Sequence, residues 1–241
     1  MMNILKCVIL SATKWSRKIS TYALCAILLA LFACTDYEAQ IDDEYEEWIA
    51  EQEEDESSSL NVDESSSLNV EIGSMTDSRD GQTYKTVTIG LQTWMAENLN
   101  YETGISYCYG NNETYCTEYG RLYTWATAIT ACPGGWHLPS EAEWNTLITT
   151  VGGSSVAGGK LKTTSGWYNN GNGSDDFGFS ARPAGVRYNN GNYGSNDACF
   201  WSSTEYYGES AYKMCLYYSD NFALQDSGHK GSGFPIRCLK D

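Results

Sequence analysis

The 241-residue sequence has only two histidines, His137 and His229. A Ser-His-Asp or Cys-His site would have to use one of them, and no motif sets a nucleophile beside either. No G-x-S-x-G segment occurs, so the nucleophile elbow of the α/β hydrolases is missing. No two cysteines stand in a C-x-x-C pair, the close spacing that zinc sites use. The glycine-rich "GGSSVAGGKL" (152–161) lacks the glycine spacing of a phosphate loop, and Leu161 stands where such a loop has Ser or Thr. Positive charge is scarce, with 15 Lys and Arg against 31 Asp and Glu. No basic patch forms, which argues against a nucleic-acid partner. The apolar run "TYALCAILLALFA" (21–33) has 13 residues, too few for a stable membrane-spanning helix.

That run still has a use. Residues 1–20 carry Lys6, Lys14, Arg17 and Lys18 and no acid, so the pair reads as the basic and apolar parts of a secretory signal. The run ends "LFAC", which resembles the lipobox of bacterial lipoproteins. The expectation is a signal over residues 1–33 and Cys34 as the lipidated first residue of an outer-membrane or cell-surface lipoprotein. Ordinary cleavage after Ala33 is the alternative and also exports the chain. Residues 34–72 hold 15 acids and no base, with the octapeptide "DESSSLNV" at 55–62 and again at 63–70. Two polar copies are too few for a solenoid. Serine and one-signed charge bury too little to offset chain entropy, so residues 34–76 read as a disordered tether. As a flexible coil it spans on the order of 35–40 Å. It is either a spacer from a membrane or a solubilising tail.

Residues 77–241 read as one folded domain. From residue 73 onward there are 16 acids and 11 bases, so most of the net −16 belongs to the tether. Cys7 and Cys25 leave with the signal. Six cysteines remain, Cys108, Cys116, Cys132, Cys199, Cys215 and Cys238, and in an exported domain they imply three disulfides. Sequence alone leaves the pairing open. "TYKTVTIGLQTWMAENL" (83–99) alternates as a β-hairpin broken at Gly90. "GRLYTWATAITAC" (120–132) has helical spacing at Leu122, Trp125, Ala126 and Ile129. "PSEAEWNTLITTVGG" starts a second helix with Ser140 and Glu143 as a capping box and Trp144, Leu147 and Ile148 as its apolar stripe. Short strands and Gly/Asn-rich loops follow. Two early helices and many short strands make an α+β pattern.

The densest cluster of chemistry is "GWHLPSEAEW" (135–144), and each polar residue in it has a structural task. Glu143 completes the cap, Glu141 meets the positive helix end, Trp136 and Trp144 belong to the core, and His137 reads as a hydrogen-bonded structural histidine. Hence no catalytic residue is assigned. The loop "NNGNGSDD" (169–176) offers Asp175 and Asp176 as calcium candidates, without EF-hand spacing, so a plain surface loop stands beside that reading. Trp167, Tyr168, Tyr188 and Tyr193 lie among Asn and Gly, Asn189 and Asn190 included. Rings that stack on sugar faces beside amides that read hydroxyls are one binding chemistry, and bracing of the loops is the other reading.

"DGQTYKTVTIGLQTWMAENLNY", "YCTEYGRLYTWATAI", "CPGGWHLPSEAEWNTL", "GGKLKTTSGW", "DDFGFSARPAG", "FWSSTE" and "IRCLKD" occur in that order over residues 77–241. Together they resemble the Fibrobacter succinogenes major paralogous domain, a family of exported bacterial proteins. "YTWATAITACPGGWHLPSEAEW", with Cys238 further on, is similar to C-type lectin-like domains and to the formylglycine-generating sulfatase-modifying enzymes. That likeness implies a C-type lectin-like fold with two early helices, short antiparallel strands and long Gly/Asn-rich loops. It also implies Cys132–Cys238, tying an early helix to the closing strand. Cys199–Cys215 would then join neighbouring strands and Cys108–Cys116 close a local loop. The calcium-lectin motifs Glu-Pro-Asn, Gln-Pro-Asp and Trp-Asn-Asp are absent, as is the close C-terminal cysteine pair of the sulfatase-modifying enzymes. The resulting expectation is a non-catalytic, lipid-anchored surface module that binds a glycan or protein through Tyr168, Tyr188, Asn189, Asn190 and Tyr193. It needs no cofactor, calcium aside. The alternatives are a sulfatase-modifying-type enzyme with relocated residues and a structural envelope protein.

Overall fold

The computed structural model describes residues 70–241. The signal, Cys34 and the octapeptide repeat lie outside the described residues, apart from Val70 at the end of the second copy. The strands are β1 Glu71–Thr76, β2 Thr83–Ile89, β3 Gln92–Met95, β4 Ser106–Tyr107, β5 Leu122–Thr124, β6 Trp136–His137, β7 Val186–Arg187, β8 Tyr193–Gly194, β9 Ala198–Glu205, β10 Ser210–Leu216, β11 Ala223–His229, β12 Gly233–Phe234 and β13 Leu239–Lys240. The helices are α1 Glu113–Tyr119, α2 Trp125–Ala131, α3 Glu141–Thr150 and α4 Ser154–Leu161. Three sheets form, in the orders β1-β2-β3-β13-β6, β11-β10-β9 and β4-β5-β12-β7-β8. The fold is mixed α and β, as the pattern of the sequence implies.

The hairpin forms as expected, with Thr86 opposite Met95 and Ile89 opposite Gln92. Its turn leaves Leu91 fully exposed and buries Trp94 and Met95. Order begins earlier than the expected boundary at residue 77. β1 pairs with β2 from Glu71↔Thr88 to Thr76↔Thr83. Five of its six residues are exposed, so backbone pairing holds it and no apolar alternation announces it.

The helix expected from residue 120 begins later. Leu122–Thr124 is a strand between β4 and β12, and α2 starts at Trp125. Ala128 and Ala131 are its buried residues, whereas Ile129 is exposed. α3 carries the expected capping box. Ser140 Oγ accepts from the Glu143 backbone N–H, and the Glu143 carboxylate accepts from the Ser140 N–H at 2.7 Å.

Two helices are additional. α1 begins inside the loop closed by Cys108 and Cys116 and runs on to Tyr119, and the Asn112 side chain caps it by accepting from the Thr114 N–H at 3.0 Å. α4 is "SSVAGGKL", whose glycines weaken a helix on propensity alone. They are there for contact. A Cβ on Gly158 would run into the backbone carbonyl of Phe222.

All three disulfides form as expected, Cys108–Cys116, Cys132–Cys238 and Cys199–Cys215. Cys199 and Cys215 face each other across β9 and β10. One core cluster centres on Trp94, Trp144, Phe179 and Phe200. Trp94 and Trp144 lie 4.6 Å apart, and Phe179 meets both edge-on. A second cluster gathers Tyr84, Met95, Tyr123, Trp201, Phe234 and Ile236. Arg237 lies fully buried, its guanidinium 4.7 Å from the Phe179 ring centre and 5.5 Å from that of Phe200. Among the described residues no helix is long and apolar enough to cross a membrane.

Candidate functional site

His137 sits on β6 between two carboxylates. Its Nε2 is 2.9 Å from Glu143 Oε1 and its Nδ1 is 2.7 Å from Asp241 Oδ1. The other Glu143 oxygen accepts from both the Ser140 N–H and the Ser140 hydroxyl. Partial burial works against charging the imidazole, but the bonds to Asp241 and Glu143 outweigh it and raise the pKa. For Glu143, burial is outweighed by the Ser140 and His137 hydrogen bonds, and the pKa falls. His137 therefore clamps Asp241, just after β13, to Glu143 at the start of α3. His229 uses Nδ1 to accept from the Gly231 N–H at 3.0 Å.

The loop candidates divide into braces and exposed rings. Trp167 packs inward, its indole N–H donating to Thr163 Oγ1 at 3.0 Å and to the Ala181 carbonyl. Asp175 turns back on its own loop. One oxygen accepts from the Ser180 N–H at 2.7 Å and the other from the Ser180 hydroxyl at 2.6 Å. Asp176 is exposed beside it. The glycines between them and Trp167 serve close packing, since a Cβ on Gly171 would strike the Tyr218 carbonyl and one on Gly173 the Gly159 carbonyl. Among the described residues the one cluster with metal-ligand geometry is Cys108, Glu113 and Cys116, and its two cysteines are joined as a disulfide. Neither Asp175 nor Asp176 belongs to it.

Tyr193 also acts as a brace. Its ring packs edge-on against Tyr109 at 5.3 Å, and its hydroxyl is 2.7 Å from Asn111 Oδ1. Asn190 spends its side chain on the turn, accepting from the Asn192 N–H at 3.0 Å, while Asn189 is exposed. Tyr168 and Tyr188 remain outward, at 58% and 44% exposure. Tyr168 sits edge-on to Tyr218 at 5.3 Å and lines a depression of about 240 Å³ with Tyr119, Pro183 and Asn196. Tyr188 lines a second, of about 200 Å³, with Asp197, Tyr217 and the Lys213–Asp226 ion pair. Asn196 lines the first depression, and its chain neighbours Ser195 and Asp197 line the second.

The family model of the Fibrobacter succinogenes major domain matches residues 87–240, more than half of the chain. The chain belongs to this family. No curated protein and no solved structure matches it. In this Fibrobacter major domain the matched span covers β3 to β13, both core clusters apart from Tyr84 and all three disulfides.

The Fibrobacter major domain also holds a cleft that motif reading misses. It measures about 330 Å³ and lies between the β2–β3 hairpin, α1 and the Ser180–Arg182 segment. Arg237 comes to it from one part of the chain and the neighbouring Asn98 and Asn100 from another, more than 130 residues earlier. No spacing links them. The one available signal is an arginine inside the apolar closing segment "FPIRCL", a charge that a buried strand has to accommodate.

Proposed function

We propose that this member of the Fibrobacter major domain family is an exported, non-catalytic binding module. It is held to a membrane through Cys34 and takes a glycan or protein ligand on the face of Tyr168 and Tyr188. The observation that carries this reading is the contrast within the loops. The chain around the two tyrosines is pinned by Trp167, Gly171, Gly173, Asp175 and Tyr193, while the two rings stay exposed, each beside a depression. Rings held on a fixed backbone lose little entropy on binding and offer a broad apolar face. A C-type lectin-like arrangement is part of the proposal. The Cys132–Cys238 link between α2 and the closing segment supports it. Occupation of both His137 nitrogens by carboxylates favours binding over acid–base catalysis.

The test is a glycan-array and pull-down screen of the full chain beside Tyr168→Ala with Tyr188→Ala. Both rings are exposed, so the double variant should keep its melting temperature within a few degrees and lose the ligand. Retained binding would count against this face.

A further inference from the structure

The cleft beside Arg237 has the volume of a small-ligand site, at about 330 Å³. Arg237 lines it while only 1% exposed. A guanidinium carries five N–H donors. Four are spent: Nε donates to Asn98 Oδ1 at 2.6 Å, Nη1 to the carbonyls of Met95 and Phe179, and one Nη2–H to the Ser180 carbonyl at 2.8 Å. All four acceptors are uncharged. Among the described residues the fifth N–H has no acceptor, and no carboxylate lies within ion-pair reach of Arg237. Burial of the cation pulls its pKa down to about 9, the sign of a charge without a counter-ion.

The acids that act on Arg237 through space are Asp175 and Glu97. Asp175 is committed to Ser180, and Glu97 accepts from the Lys85 N–H at 2.8 Å. A second polar atom at the cleft is also without a partner. Asn100 Oδ1 is buried there and accepts from no donor among the described residues. Buried polar atoms are nearly always paired, so a free donor and a free acceptor lining one cleft call for a ligand that supplies both complements. The charged side chains lining it are Lys85, Arg182 and Arg237 against Glu97 and Glu118, an excess of one positive charge. A monoanion balances that excess. A phosphate dianion overshoots it beside Glu97 and Glu118, and a neutral sugar leaves Arg237 uncompensated.

We infer that this cleft binds a hexuronate unit, with the sugar carboxylate on the free Nη2–H of Arg237 and a hydroxyl donating to Asn100 Oδ1. The site shares Tyr119 with the depression beside Tyr168 but uses neither Tyr168 nor Tyr188, and it stands without them.

The experiment is calorimetric titration of the full chain with D-glucuronate, D-galacturonate, D-glucose, acetate and inorganic phosphate. One of the two uronates should bind about tenfold or more tighter than glucose, acetate or phosphate, as expected of a charge-assisted hydrogen bond added to hydroxyl contacts. Arg237→Gln is expected to disturb folding, so the deciding variants lie at the wall and mouth. Thr117→Trp, on the exposed side of α1, should fill the cleft and abolish uronate binding. Asn100→Leu should weaken uronate while leaving acetate unchanged. Tyr168→Ala with Tyr188→Ala should leave uronate binding intact, which separates failure of this site from failure of the tyrosine face. Uronate binding no tighter than glucose, phosphate binding as tight as uronate, or full uronate binding by Thr117→Trp would each overturn the inference.

Discussion

Removing the Cys132–Cys238 crosslink should cost the domain more than removing either of the others. The two cysteines are 106 residues apart, against 16 for Cys199–Cys215 and 8 for Cys108–Cys116. In the chain-entropy model these loops correspond to about 5, 3 and 2.5 kcal/mol. Cys238 is fully buried in the second core cluster, so alanine there also gives up packing. Cys108–Cys116 encloses only the start of α1; both cysteines are buried but belong to neither core cluster, so alanine there gives up less packing. A domain of this size has roughly 5–15 kcal/mol in total, so the long crosslink is a large share of it. Cys132→Ala with Cys238→Ala, and Cys108→Ala with Cys116→Ala, should be compared by urea unfolding under oxidising conditions. The first pair should lose several kcal/mol or fail to fold, and the second about half as much. Equal losses, or a larger loss for the short loop, would refute the argument that loop length sets the cost.

Further outcomes are expected. The His137 clamp makes stability depend on pH. The raised His137 pKa gives a contribution that is complete below its unfolded value of 6.5 and is lost as pH rises through the higher folded value. The lowered Glu143 pKa gives one that is present above 4.5 and is lost as pH falls through the lower folded value. The clamp is therefore strongest between 4.5 and 6.5, and the stability lost in His137→Ala, read by urea unfolding across pH, should be greatest in that window, at about 1 kcal/mol or less for partly exposed groups. Gly171→Ala drives a methyl into the Tyr218 backbone and should destabilise by about 1–3 kcal/mol, read by urea unfolding; a neutral effect would remove the packing account of the loop. Mass spectrometry of the mature protein should find a lipid-modified N-terminus at Cys34, and an unmodified or uncleaved chain would remove the anchor.

Local signals were legible and long-range ones were not. The Ser140–Glu143 cap, the hairpin read over 83–99 and the buried Trp144 follow from spacing within a few residues; the cap and the tryptophan stand as read, and the hairpin forms with its strands ending at Met95. β1 escaped because it pairs through its backbone while its side chains face water. α4 escaped because its glycines look like a loop until Asn221 and Phe222 are laid across them. Leu122 and Tyr123 fit a helical stripe and a strand equally well, and pairing with β12 decides between the two. At the candidate face the sequence offers Tyr168, Tyr188 and Tyr193 alike. Only the partner Tyr109, 84 residues before Tyr193, takes the third out of play. The Arg237 cleft was illegible for the same reason, since its partner Asn98 lies 139 residues away.

The place of β13 sets an order of events during synthesis. It lies between β3 and β6, with Leu239 opposite both Trp94 and His137, while the carbonyls of Ile236 and Cys238 receive the N–H groups of Leu99 and Met95. The ribosome delivers the hairpin long before the strand that seals it. Until residues 236–240 emerge, β3 presents an open edge and Trp94 lacks its cover, so the first sheet cannot close on a partial chain. Cys108 and Cys116 can pair early, but Cys132 must wait for the last cysteine while Cys199 and Cys215 pass it first. The first sheet therefore closes only once residues 236–240 are in place, and thiol exchange in an oxidising compartment can correct a premature partner for Cys132.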